Sequence, residues 1–197
     1  FGNHCSRWIS YSSLWRSELC SDRSSHTGGS LAKVMERRLF IAFPVSEKIR
    51  EESARIVRHF PDAPVRWVRP EDLHITAVAP WISKSMDADA KRLLQVAKHA
   101  RPFTIRFGLV EPGPTIVAPR LIWIKGKIHG VYPASLQKQL ATAFDRGHDF
   151  KKWLPHVTTG RFRQDMRITS PVRTVYEDVD IEERITSMLL MESHRTR

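Results

Sequence analysis

Apolar residues along this chain come in short runs, and their spacing names the elements. Residues 38–43, RLFIAF, open on a charge and run into a clean apolar strand. Ser46 is a candidate helix cap, and Ile49, Ala54, Ile56, Val57 and Phe60 after it suggest a helix. Residues 65–68 predict a short extended piece before Pro70, and residues 73–78 a strand ended by Pro80. A second helix over 87–99 collects Ala90, Leu93, Leu94 and Ala97 on one face. Strands follow over 103–110 and 121–124, a helix over 132–144, then strands over 156–162, 172–181 and 185–191. Strands and helices mixed with short connections give an α+β class. Residues 1–34 differ: they are rich in serine, contain Gly28-Gly29 and hold no sustained period. They predict a poorly ordered N-terminal extension, with residues 35–197 forming one domain.

The pattern repeats. Arg38-Leu39 opens one strand and His74 follows Arg38 by 36 residues; Arg120-Leu121 opens another and His156 follows Arg120 by 36. At this shared offset of 82, Phe40 aligns with Ile122, Ile41 with Trp123, and Ile75 with Val157. Each half reads strand, helix, proline-containing turn, then a strand carrying a histidine. Such duplication predicts two lobes facing each other across a pseudo-twofold axis. The expected fold is therefore bilobal, two antiparallel-sheet lobes with helices outside and a central cleft.

Both repeated strands carry His-x-Thr: His74-Ile75-Thr76 and His156-Val157-Thr158. Alternate side chains of a strand share a face, so each motif presents an imidazole and a hydroxyl with an apolar anchor behind them. Two imidazoles lining one cleft suit general acid–base catalysis, one taking a proton as the other gives one. Threonine hydroxyls can donate to developing charge on phosphorus-bound oxygens. Arg161 would add a planar charged donor if its strand bends toward the cleft, since strict alternation places it on the opposite face. The other seven histidines have no comparable setting.

Composition narrows the partners. The net charge of +11 and pI near 10.2 favour an anionic ligand, RNA or DNA first. Both cysteines, Cys5 and Cys20, lie in the first segment, so the remaining chain holds no disulfide framework, zinc-thiolate site or cysteine nucleophile. No carboxylate or third histidine sits at ligand spacing beside either motif, and no phosphate-cradling Gly-rich loop is present; neither a metal nor any other cofactor is expected. No apolar run approaches bilayer length, and the start lacks a secretory signal pattern, which predicts no membrane association and a cytoplasmic location.

RLFIAFPV, RWVRPEDLHIT, PRLIWIK and LPHVTTGR, at these separations, resemble the two-histidine phosphoesterase superfamily, and within it the RNA 2',3'-cyclic phosphodiesterases, also called 2'-5' RNA ligases. The resemblance covers about residues 36–191. It implies metal-free opening of a 2',3'-cyclic phosphate to a 2'-phosphate, with His74 as proton donor, His156 as acceptor, and Thr76 and Thr158 holding the phosphate. An RNA 5'-hydroxyl in place of water would give ligation without ATP. The implied partner is an RNA with a 2',3'-cyclic phosphate end, acted on by a monomer. The chain departs from the family at AVAPWIS, where Pro80 and Trp81 are expected to reshape the rim. It departs again at the ESHRTR end, where the family continues into another hairpin segment, and in residues 1–34, which have no counterpart. The Pro80-Trp81 rim and the segment Arg161 to Arg163 are the candidates for seating the ribose and base. Two other readings remain: a non-catalytic nucleotide- or RNA-binding module, and a phosphodiesterase of a small nucleotide.

Overall fold

The computed structural model describes residues 9–12, 36–115, 118–146, 152–162 and 175–193. The strands are β1 (Ile9–Ser12), β2 (Arg37–Pro44), β3 (Val65–Trp67), β4 (His74–Ser83), β5 (Phe103–Gly113), β6 (Leu121–Ile128), β7 (His156–Phe162), β8 (Glu177–Ile185) and β9 (Ser187–Glu192). The helices are α1 (Glu47–His59), α2 (Met86–Ala97) and α3 (Tyr132–Ala143), with a 3-10 turn at Pro70–Asp72. All described strand pairs are antiparallel.

The strand order is β1-β9-β2-β4-β7-β6-β5-β8, with β3 set beside β7 off this path. The order mirrors about its middle: β4 answers β7, β2 answers β6, β9 answers β5 and β1 answers β8. These are the two lobes anticipated from the repeat. They fuse edge to edge into one curled sheet through a single residue pair, Ile75 opposite Val157. Two side-chain links reinforce that junction from the helical side. Trp153 Nε1 donates to the Thr76 carbonyl at 3.1 Å, and Gln137 Nε2 on α3 donates to the Ala77 carbonyl at 3.1 Å.

One face of the sheet carries the main core. Leu39, Ile41, Phe43, Ile75, Ile105, Phe107, Ile122, Ile124 and Val157 are fully buried there, with Ile49 and Ile56 of α1, Leu93 of α2, and Leu136 and Leu140 of α3. Each such side chain contributes about 1.5–3 kcal/mol by leaving water. The opposite face carries both His-x-Thr motifs and a small apolar cluster of Phe40, Ala42, Leu189 and Met191.

Several elements differ from the sequence reading. β4 runs on through Pro80 because its register with β2 slips twice, so Pro80 falls in a bulge where its missing N–H costs no ladder bond. β5 and β6 are longer than expected. β8 starts at Glu177 and continues through the charged residues Glu182, Glu183 and Arg184; residues 172–174 lie outside the described residues. Its alternation holds because Glu183 faces inward: its carboxylate accepts from the Ser46 backbone N–H at 3.1 Å and from Ser46 Oγ at 2.7 Å. That carboxylate, supplied from 137 residues away, ties down the start of α1, where Ser46 makes no local side-chain cap. Within residues 1–34, only Ile9–Ser12 is described, as a strand against β9 with Ile9 opposite Leu190.

Candidate active site

The site forms at the lobe junction, and hydrogen bonding fixes each imidazole in the same way. His74 Nδ1 lies 2.7 Å from the Asp72 carbonyl oxygen, and His156 Nδ1 lies 2.9 Å from that of Leu154. A carbonyl only accepts, so Nδ1 carries the proton in both rings and Nε2 is the nitrogen left for chemistry. Each ring rests on an aromatic side chain: Phe40 against His74 at 5.0 Å between centroids, and Trp123 against His156 at 4.5 Å. The indole of Trp123 is turned by Glu111, which accepts from its Nε1 at 3.4 Å and from Lys125 Nζ at 2.9 Å. Lys125 stands directly opposite His156 in the β6–β7 register.

Because β4 and β7 run antiparallel across the Ile75–Val157 pair, His74 lies toward Thr158 and Thr76 toward His156. The two motifs therefore sit diagonally about the junction, as a pseudo-twofold requires. Both histidine pKa values are pushed below the ordinary value. Burial is the largest cause for each, and the Arg161 charge adds to it; for His74, the charge of His156 contributes as well. Arg161 is thus close enough to act on both rings.

The bend that Arg161 needed is a bulge. In the β6–β7 ladder, Ile122 opposes Gly160 and Trp123 opposes Thr158, so Thr159 is the extra residue. It is fully buried, and its Oγ1 donates to the Ile122 carbonyl at 3.1 Å, while its own carbonyl accepts from the Val68 N–H at 2.8 Å. The added residue flips the parity beyond it. Gly160 then points to the core, where a Cβ would come within 3.0 Å of the Trp67 ring, and Arg161 points to the histidine face. The first lobe carries the same bulge at Ala77, between the Ala42–Thr76 and Ile41–Val78 pairs. There the residue matching Arg161 is Ala79, so the arginine comes from one lobe only.

The pairing also corrects the internal alignment. Ala42 opposes Thr76 and Trp123 opposes Thr158, so β2 and β6 correspond at an offset of 81, whereas β4 and β7 keep 82. One residue of slip moved Trp123 off its proper counterpart in the sequence comparison and hid its place beside the histidine. Phe40, Glu111, Lys125 and Thr159 carry no motif of their own; their roles come from register.

The rim expectation also changes. Trp81 opposes Leu39 on the core side, donates from Nε1 to Asp89 at 3.2 Å and packs on Phe144 at 4.8 Å between centroids. It is not placed to stack on a base. Arg163 lies outside the described residues.

A family model described as the 2'-5' RNA ligase superfamily matches residues 43–197. The chain belongs to this superfamily. Among curated relatives, the RNA 2',3'-cyclic phosphodiesterase of Archaeoglobus fulgidus is 31% identical over 134 residues, 64% of this chain and 73% of the relative. The protein of the same name from Methanocaldococcus jannaschii is 28% identical over 153 residues, 74% of this chain and 84% of the relative. Two solved structures share the fold. One from Thermus thermophilus has a TM-score of 0.61 at 20% identity, covering 78% of this chain and 86% of that one. Escherichia coli LigT complexed with 3'-AMP has 0.60 at 21%, covering 82% and 91%. No described helix is long and apolar enough to cross a membrane.

Proposed function

We propose that this member of the 2'-5' RNA ligase superfamily opens RNA 2',3'-cyclic phosphate ends to 2'-phosphomonoesters, with two histidines as acid and base and no metal. Water attacks phosphorus as His156 Nε2 takes its proton. The bond from phosphorus to the 3' oxygen breaks, and His74 Nε2, entering as imidazolium, protonates that oxygen. Thr76, Thr158 and Arg161 hold the non-bridging oxygens, where charge builds up. The anionic substrate offsets the burial and the arginine charge that lower both imidazole pKa values, and so allows one of them to enter protonated. With an RNA 5'-hydroxyl in place of water, the same groups would join 2'-5' ends. The setting is taken to be cytoplasmic, with the protein acting as a monomer.

The observation that carries this reading is the matched pair of imidazoles, each with Nδ1 bound to the carbonyl two residues before it. Binding alone needs no such matched pair of proton-transfer nitrogens, which disfavours a non-catalytic module. Among the described residues, no three His, Cys, Asp or Glu side chains gather as a metal site needs. The names of the curated relatives support the substrate class. The test is turnover of an RNA ending in a 2',3'-cyclic phosphate, with chelator present, followed by phosphorus NMR. A 2'-phosphate product is expected. A 3'-phosphate would reverse the donor and acceptor roles, and activity restored only by a divalent ion would overturn the metal-free mechanism.

A further inference from the structure

The two lobes set different neighbours beside their matched histidines. Directly opposite His156 on the next strand stands Lys125, whereas Pro44 stands opposite His74. Trp123 stands opposite Thr158, and Ala42 opposite Thr76. One strand further out, Glu111 opposes Trp123, where Leu189 opposes Ala42. The matched positions thus read Pro44, Ala42 and Leu189 beside His74, but Lys125, Trp123 and Glu111 beside His156. The patch behind His74 is apolar, with Phe40, Ala42, Leu189 and Met191 buried together. The patch behind His156 is charged and hydrogen-bonded.

Paired positions of a ladder share a face, so Lys125 rises on the same side as the His156 ring, from a backbone about 5 Å away. An ammonium beside an imidazole opposes the charge that the ring gains with a proton. Glu111 removes this conflict. Its Oε1 holds Lys125 Nζ at 2.9 Å, which draws the cation toward β5 and away from β7. The same oxygen accepts from Trp123 Nε1 at 3.4 Å, so one carboxylate governs both the indole packed on His156 and the cation beside it. Side-chain exposure is 15% for Glu111 and 35% for Lys125, so solvent screens the pair only in part. The charge that does lower the His156 pKa, after burial, is that of Arg161; Lys125 is not among the causes. Around His156 stand Arg161 on its own strand, His74 on β4, Lys125 and Lys127 on β6, and Glu111 on β5.

We infer that Glu111 is a positioning residue for His156: it fixes the indole behind the ring and holds the Lys125 ammonium off it, so that the imidazolium formed when His156 takes its proton meets no cation from β6. This rests on the proposed function and deepens it, adding a residue that acts through the base and touches no substrate. The two nearly symmetric histidines are thereby served by different surroundings, one apolar and one charge-compensated.

The experiment compares wild type, Glu111→Gln, Lys125→Met and the double variant on a 2',3'-cyclic phosphate across pH. Glu111→Gln keeps an oxygen for the Trp123 N–H but removes the charge that holds Lys125. Its kcat is expected to fall about three- to tenfold with no rise in KM, the effect of one partly screened charge. The acid limb, which reports His156 losing its proton, is expected to move to lower pH, because a freed cation disfavours the imidazolium. Lys125→Met in the same chain removes that cation, so the double variant is expected to return to the kcat and acid limb of Lys125→Met alone. The NMR titration of the His156 ring, assigned by the signal missing from His156→Gln, is read alongside and is expected to shift to lower pH in Glu111→Gln. An acid limb and a ring titration that both stay put would overturn the inference. So would a loss that Lys125→Met leaves unrelieved, since Glu111 would then serve the fold alone. If the wild type does not turn over the cyclic phosphate, the proposed function fails; the ring titration, which needs no substrate, then decides by itself whether Glu111 shields His156.

Discussion

Replacing Arg161 tests the bulge, the electrostatics and the chemistry together. Thr159 flips the strand parity so that this guanidinium reaches the histidine face, where its charge lowers the pKa of both His74 and His156. Arg161→Gln therefore has two separable effects. It removes a charged donor from the non-bridging oxygens, and loss of one such donor costs about 100- to 1,000-fold, or about 2.7–4 kcal/mol. It also removes a neighbouring cation that disfavours the imidazolium, so both histidine pKa values rise. In a bell-shaped profile, the acid limb reports the group that must lose its proton and the basic limb the group that must keep it, so both limbs move to higher pH. Arg161→Lys keeps a charge but loses the planar fork, and should recover part of the rate while leaving the limbs near the wild-type position. The assay is kcat/KM on a 2',3'-cyclic phosphate across pH, with circular dichroism to confirm folding. A loss within about fivefold, the range of an exposed ion pair, would refute the placement of Arg161 at the reacting phosphate. A profile that stayed put or moved to lower pH in Arg161→Gln would refute the electrostatic argument.

Further outcomes follow from the same geometry. His74→Ala and His156→Ala should each lower kcat by about 100- to 10,000-fold with the fold retained; near-normal turnover by either would end the paired assignment. Because both imidazoles have depressed pKa values when folded, their contribution to stability is fully present above the unfolded value of about 6.5 and is lost as pH falls through the folded values. Thermal unfolding between pH 7.5 and 5.5 should show this loss, and a His74→Gln/His156→Gln double variant should show a smaller one; an equal acid slope would count against it. Gly113→Ala places a Cβ onto the Trp123 ring that backs His156, and should cost about 1–3 kcal/mol by overpacking. It should also lower turnover beyond what the fraction folded explains, whereas a variant with normal activity would show that Trp123 does not hold His156 in place.

By itself, the sequence determined the α+β class, the repeat, and the two His-x-Thr motifs with their threonines. These were legible because they depend on local chemistry: strand alternation puts His74 with Thr76 and His156 with Thr158, whatever the rest of the chain does. The N-cap position of Ser46 was legible for the same reason. What stayed hidden depended on register between distant strands. Strict alternation sends Arg161 to the core side, and only the ladder with β6 shows that Thr159 is an extra residue. The slip between offsets 81 and 82 is likewise a property of pairing, and so is the approach of Trp123 to His156. The inward turn of Glu183 likewise depends on Ser46, 137 residues earlier, whose backbone N–H and hydroxyl donate to its carboxylate. Trp81 read as a rim residue until Asp89 and Phe144 turned it inward. A periodic pattern fixes which side chains share a face along one strand. Tertiary pairing decides where that period is interrupted, and here the interruption at Thr159 brings the arginine to the histidines.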